Sequence, residues 1–357
     1  MIFSRTEDIS EIVNSIDIDH KLLSNKNIII SGAFGFIGKY ILQSLIEFSD
    51  KNNIEFNIYA IDNFITSSKN SLDYFKSKKI NCIDHDINKE LNIDINFDYI
   101  ICLAGIASPY YYFKYPLETL DVSINGVRNM FKLNHNDQSK FVFFSTSEVY
   151  GDPPFDQIPT KESYRGNVTS TGPRSCYDES KRVGETICYI NSNFLGKNTT
   201  IIRPFNVYGP GMSLKDYRIL PNITRSLFLN EQLKIYDTGK QTRTYCYITD
   251  AINGFLRAIF KNEKFGLYNI GNDIGEINVL DLVKMSEKIM ETKINYKISS
   301  YPKEYPTEQP TRRCPDISNA KKNLSYFPNI SLKEGLKRYL NWSKSFIKNW
   351  FKLFFII

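Results

Sequence analysis

From Asn27 onward, short apolar runs alternate with longer stretches whose apolar residues recur at helical spacing. The runs NIIIS, FNIYAID, INCID, YIICLAG, FVFFS and TTIIRPF predict strands, because a strand covered on both faces reads as nearly continuous apolar sequence. Between them lie an amphipathic stretch ending near Asp50, a polar helix-like segment, and two long predicted helices over 116–134 and 174–195. Strand alternating with helix implies a parallel, doubly wound sheet. Beyond Ser213 the pattern loosens. Short strands are predicted near LKIYD and FGLYNIG, and helices near 249–261, 279–291 and 332–344, which together suggest a smaller second lobe.

This pattern divides the chain into an N-terminal helical extension (1–24), a main α/β domain (25–212), a region mainly forming the second lobe (213–344, with the chain able to cross back) and an apolar, basic tail (345–357). Lys344, Lys348 and Lys352, spaced by four, would share one helix face in or beside that tail. Docking on the domain or on a partner subunit is the preferred expectation for it, and weak contact with an anionic membrane surface the alternative.

The loop GAFGFIG supplies the first chemistry. Gly32, Gly35 and Gly38 follow the first strand and open the first helix of the sheet. Glycines there allow a tight turn and a close approach of backbone to a pyrophosphate, with the helix N-terminus supplying N–H groups. Asp62 ends the second strand, where a carboxylate accepts hydrogen bonds from the adenosine ribose and repels a 2′-phosphate. NAD is therefore the expected cofactor. Asp86, after the third strand, is a candidate adenine contact. The fold expected is α/β, a Rossmann doubly wound parallel sheet with a smaller C-terminal α/β substrate-binding lobe.

Tyr177 and Lys181 stand four apart on a predicted helix and so project from one face. A free tyrosine has a pKa of about 10, and a nearby ammonium favours its phenolate. About thirty residues upstream, FVFFS delivers Thr146, Ser147 and Glu148 to the carboxyl end of a strand, where such sheets bind ligands.

Composition removes other classes. The 45 basic and 39 acidic residues give a net charge of +6 without a clustered basic stripe, so nucleic acid is not an expected partner. The six cysteines form no metal-ligand spacing, and the three histidines lie in no motif with a serine or second ligand, so neither a metal site nor a Ser-His hydrolase is expected. The start lacks the apolar run of a signal peptide and no segment approaches about 20 apolar residues, which points to a cytoplasmic location.

Taken with STSEVYGDP (145–153), GPRSCYDESKR (172–182), HDI (85–87), LAGIASP (103–109), GKQTRTY (239–245) and PDIS (315–318), the chain resembles the extended short-chain dehydrogenase/reductase family over roughly 26–344, and within it the UDP-glucuronate decarboxylase group. The resemblance implies that Thr146 bonds the substrate 4-hydroxyl beside Tyr177, and that Lys181 also holds the nicotinamide ribose. It implies an NAD shell of Gly32, Phe34, Gly35, Phe36, Ile37, Gly38, Asp62, Asn63, Asp86, Ile87, Leu103 and Ala104, completed by Tyr177 and Lys181. Asn206 and Arg243 resemble diphosphate ligands, and Arg218 a family arginine near the substrate. A homodimer packed through long helices is implied as well.

The implied reaction oxidises the sugar at C4 while Tyr177 takes the hydroxyl proton. A C5 carboxylate then leaves as carbon dioxide from a β-keto acid, and the ketone is reduced again, so NAD is recycled. Dehydratases of the family place Asp before this Glu. Ser147 stands here instead, a poor general acid. Two departures remain: Gly211 occupies a position usually arginine in the group, and LAGIASP replaces LACPASP. They keep open 4-epimerisation or 4,6-dehydration of another nucleotide sugar, for surface polysaccharide synthesis, and, at more distance, a non-catalytic NAD-binding scaffold.

Overall fold

A computed structural model describes residues 4–135, 138–301 and 310–354, with side chains up to residue 348. Its central sheet has seven strands: β1 (Asn27–Ser31), β2 (Asn57–Asp62), β3 (Asn81–Asp84), β4 (Tyr99–Cys102), β5 (Lys140–Phe144), β6 (Asn198–Pro204) and β7 (Phe265–Ile270). All pair in parallel, in the order β7-β6-β5-β4-β1-β2-β3. Helices cover both faces, which is why Ile28, Ile29 and Ile30 of β1 are all fully buried. The order reverses between β1 and β4, and at such a switch point the crevice beyond the strands' carboxyl ends takes the ligand.

FGLYNIG, expected as a short strand of the second lobe, is β7, the edge strand of this sheet, in register with β6 from Phe265↔Thr199 to Ile270↔Pro204. Helix Ile248–Phe260 makes the crossover and is buried on nearly every side. One side meets the sheet and another meets helix Thr6–Ser15 of the N-terminal extension. That helix buries Ile9, Ile12 and Val13.

Asp8 enters this interface fully buried. It accepts a hydrogen bond from the Tyr247 hydroxyl (2.8 Å) and is paired with Arg5 and Arg338. Burial nevertheless pushes its carboxyl up to about 6, because desolvation outweighs those partners. A raised acid binds its proton more tightly folded than unfolded, so stability falls as pH rises from about 4 through 6. Asp8→Asn keeps an acceptor without the charge. In urea titrations it is expected to be more stable than the wild type at pH 7.5 by about 3 kcal/mol, with the gain shrinking as the pH approaches 4.

The second lobe contains helices Ile219–Leu229, Val279–Met290 and Leu332–Phe354. Leu233–Tyr236 pairs in parallel with Tyr296–Ser299, and Thr242–Arg243 lies between Ile277–Asn278 and Arg312–Arg313. The long segment expected over 116–134 is helical but changes pitch, with a π-helical turn at Val122–Gly126 between two α-helical pieces. Among the described residues no helix is long and apolar enough to cross a membrane. The last helix turns Trp342 and Phe346 toward the central cavity. The far end of the expected tail, from the Asn349 side chain onward, lies outside the described side chains, and residues 355–357 lie outside the described residues altogether.

Candidate active site

A single cavity of about 1060 Å³ runs from the carboxyl ends of the strands into the second lobe. A typical small-molecule site holds about 300–1,000 Å³, so there is room for two ligands end to end. Every residue expected to contact cofactor or substrate lines it.

At one end lies the glycine loop. Gly32 has φ +67, and a Cβ there would meet the Ala104 Cα at 2.7 Å. On Gly38 a Cβ would fall 2.5 Å from the Ala33 carbonyl oxygen. Gly35 is the N-cap of helix Phe36–Asn52, so Phe36, Ile37 and Gly38 present the first, unpaired N–H groups of that helix. This backbone cradle fits the pyrophosphate of a dinucleotide. Gly32→Ala is expected to abolish retention of NAD in a fluorescence titration and to lower the melting temperature, since both the positive φ and the missing space oppose a side chain.

Asp62 holds the loops around it, which the sequence did not reveal. Its carboxylate accepts the Phe34 N–H (3.0 Å), the Phe64 N–H (2.9 Å) and the Ser67 hydroxyl (2.8 Å), and so ties the glycine loop to the loop after β2. Asn63 turns the same loop by accepting the Ile65 N–H (3.1 Å). Asp86 accepts the Asn88 N–H (3.0 Å), which fixes the turn after β3 beside Ile87. Leu103 and Ala104 follow β4, and the Ala104 N–H reaches Ser31 Oγ at 3.4 Å.

In the middle of the cavity Thr146, Tyr177 and Lys181 come together. The strand β5 ends at Phe144, and Thr146 caps the short turn Ser147–Tyr150 by accepting the Glu148 N–H (3.2 Å). Burial pushes Tyr177 up to about 12; the Thr146 side chain opposes this, Glu148 and Asp178 add to it, and Arg218 pulls it down. The Lys181 Nζ donates to the Phe144 carbonyl (2.8 Å) over the Phe143 ring, and the positive charge of Arg218 is among the influences that favour the phenolate.

Glu148 is the centre of a charge cluster. Its Oε2 accepts from both Arg174 and Arg313 (2.9 Å from the latter), and Oε1 accepts from Ser147 Oγ at 3.4 Å. Burial disfavours the charge, but Arg313, Arg174 and Arg243 together hold the carboxyl below its usual range. Arg174 also bonds Asp178 (3.1 Å), which burial and the neighbouring Glu148 push upward. Neither Arg174 nor Arg313 was singled out from the sequence. Arg174 stood inside the quoted GPRSCYDESKR string; Arg313 comes from 165 residues beyond Glu148 and had no local signal.

At the other end, Arg243 directs its guanidinium to the carbonyls of Thr242 (2.7 Å), Thr311 (3.4 Å) and Pro310 (2.6 Å). Asn206, at φ +42, donates to the Thr244 carbonyl (2.8 Å) and so holds the strand carrying Arg243. Arg218 forms a two-nitrogen contact with Asp216 (2.8 and 2.6 Å). Gly211 lines the same wall at φ +89. Among the described residues no group of His, Cys, Asp or Glu is arranged to hold a metal ion.

A family model described as the NAD dependent epimerase/dehydratase family matches residues 28–271. UDP-glucuronic acid decarboxylase 1 of Arabidopsis thaliana is 35% identical over 315 residues, 88% of this chain and 69% of that protein. UDP-glucuronic acid decarboxylase 3 of the same plant is 37% identical over 314 residues, covering 87% of each. Among solved structures, UDP-glucuronic acid 4-epimerase from Bacillus cereus, in complex with UDP-glucuronic acid and NAD, superposes with a TM-score of 0.75 at 26% identity, covering 90% of this chain and 99% of that one.

Proposed function

Since the chain belongs to the NAD dependent epimerase/dehydratase family, we propose that it is a UDP-glucuronate decarboxylase that uses NAD without consuming it. The observation that carries this reading is the state of the pair beside Tyr177: Glu148 is held ionised by arginines, and its neighbour is the neutral Ser147. A dehydratase needs a proton donor for a leaving hydroxyl, and this pair offers none. Loss of carbon dioxide needs no donor at that point. The identity to the two plant decarboxylases supports the same choice.

When bound, NAD supplies reversible oxidation at the sugar C4. The residues that would hold it are Gly32, Phe34, Gly35, Phe36, Ile37, Gly38, Asp62, Asn63, Asp86, Ile87, Leu103 and Ala104, with Tyr177 and Lys181 at the reacting end. Thr146 orients the 4-hydroxyl and Tyr177 takes its proton. Lys181, brought down to about 8 by burial, is still mostly an ammonium at neutral pH and holds a ribose hydroxyl. Arg218 stabilises the Tyr177 phenolate. Arg243 and Asn206 take the diphosphate, for which a guanidinium fork is suited. Glu148, as a carboxylate, orients the ring and the water that gives its proton to C5, the hydroxide left behind being neutralised from solvent.

The exposed apolar side chains Val183, Ile190 and Phe194, on and just after helix Ser175–Asn193, support a homodimer through this helix. The six cysteines are free thiols, which supports the reducing cytoplasm as its location. Weak membrane contact through the tail stays the lesser proposal.

Incubation with NAD and UDP-glucuronate is expected to release carbon dioxide and yield UDP-xylose by mass. An isomer of unchanged mass would instead identify an epimerase, the reading favoured by the Bacillus cereus neighbour and by Gly211. Loss of water would identify a dehydratase, and no turnover of any nucleotide sugar a scaffold.

A further inference from the structure

One turn beyond Lys181, on the same helix, Glu185 lies behind the reacting groups and outside the motifs that point to them. Its Oε1 accepts from Ser145 Oγ (2.5 Å), and both carboxylate oxygens accept from Arg203 of β6 (2.8 and 2.5 Å). Ser145 itself lines the cavity and immediately precedes Thr146. Arg203 continues the chain of contacts: it donates to the Tyr150 hydroxyl (2.6 Å) and lies over that ring, and Tyr150 in turn donates to Asn269 of β7 (2.8 Å). The carboxylate thus ties the helix of Tyr177 to the strand end of Thr146 and to the turn of Glu148.

We propose that Glu185 is a positioning residue of the reaction, holding Ser145, and with it Thr146, in register and setting an acidic side chain one helix turn from Lys181. The proposal rests on the reading of Thr146, Tyr177 and Lys181 as the reacting set.

The electrostatic half follows from what faces Lys181. Burial is the largest influence on its ammonium and lowers it; Cys102 from β4, and Glu185 and Cys188 from its own helix, oppose that. Burial raises both thiols, Cys102 to about 11, so both are neutral where Lys181 titrates. Of the three, Glu185 is the acidic side chain with a guanidinium partner. Facing Glu185 in turn are Arg203, Lys181, Tyr150 and Cys188. Arg203 shares the carboxylate, and Lys181, four residues before Glu185 on helix Ser175–Asn193, lies one turn away on the same face.

Three variants separate this from a purely structural role: Glu185→Gln, which keeps the size and an acceptor, Glu185→Asp, which keeps the charge, and Ser145→Ala, which removes only the link to Thr146. The titration of Lys181 is read by trace acetylation with acetic anhydride between pH 6 and 11, quantified on its peptide by mass spectrometry. Lys181 is expected to titrate near 8 in the wild type and lower by about 1 in Glu185→Gln, a tenfold change in the protonated ratio. The alkaline limb of kcat moves down with it, and Glu185→Asp restores both. Ser145→Ala leaves the Lys181 titration in place and lowers kcat by about tenfold with KM little changed. An earlier melting transition in Glu185→Gln with an unmoved Lys181 titration overturns the proposal; if that variant does not fold, the Glu185→Asp titration and the kcat of Ser145→Ala decide it, unchanged kcat in the latter counting against it. The labelling needs no substrate, so it judges Glu185 even where the sugar assay fails and the reading of the reaction falls.

Discussion

Tyr177→Phe is expected to lower kcat by about a thousandfold while leaving NAD and UDP binding within a factor of about two, because it deletes one oxygen from the centre of the cavity and little packing. The ring remains stacked on Tyr112, with centroids 5.7 Å apart, so the helix Ser175–Asn193 keeps its seat. What disappears is the proton acceptor. The phenol stands at about 12, raised chiefly by burial, and must be ionised to act. Arg218 is the positive charge that favours ionisation, so Arg218→Ala is expected to move the pH profile of kcat/KM toward higher pH, in the same assay. Binding measured by calorimetry with UDP and NAD separates these effects from a damaged pocket. A Tyr177→Phe protein that turns over at the wild-type rate would remove the phenol from the chemistry.

The second large effect concerns stability as well as rate. Arg174→Ala strips one of the two guanidiniums that contact Glu148 and leaves Asp178 without its i,i−4 partner. Breaking a buried ion pair from one side costs about 3–5 kcal/mol, since the carboxylate stays buried without its full complement of donors. Glu148 is lowered in the folded protein, so its stabilising contribution is complete above the ordinary carboxylate range and is lost as the pH falls through the lower folded value. The deficit of Arg174→Ala, read from urea titrations, is therefore expected to be largest near neutrality and to shrink in acid. Turnover is expected to fall about a hundredfold at saturating substrate, because Glu148 takes up a proton more readily and leaves its place beside Ser147. Arg174→Lys keeps a charge but not the fork that serves Glu148 and Asp178 together, and recovers only part of either loss.

Features that work through neighbours in the chain were legible beforehand. The glycine loop follows its strand and opens its helix within a dozen residues, and Tyr177 and Lys181 share a helix face because four residues make about one turn. The apolar runs also announced the sheet, because strands buried on both faces carry an unbroken signal. What pairing across distance decides was not legible. FGLYNIG is short, and only the crossover through helix Ile248–Phe260 shows that it closes the edge of the main sheet and not the second lobe. Arg313 reaches Glu148 across 165 residues, and nothing in its own neighbourhood marks it. Spacing put Lys181 on the helix face of Tyr177 but did not tell that its ammonium donates to the Phe144 carbonyl.

Gly211 bears on the substrate. With φ +89 it occupies a conformation that favours glycine, and Arg218, on the same wall of the cavity, is the arginine proposed to take a sugar carboxylate. The proposed substrate is accordingly a uronic acid, with carbon dioxide lost after oxidation at C4.

The reaction in heavy water tests this most directly. Purified protein, NAD and UDP-glucuronate are incubated in deuterated buffer, and the nucleotide sugar is followed by mass spectrometry and proton NMR. The expected product is a UDP-pentose carrying one solvent deuterium at C5 and none at C4. A UDP-hexuronate of unchanged mass, inverted at C4 and free of deuterium, would contradict it.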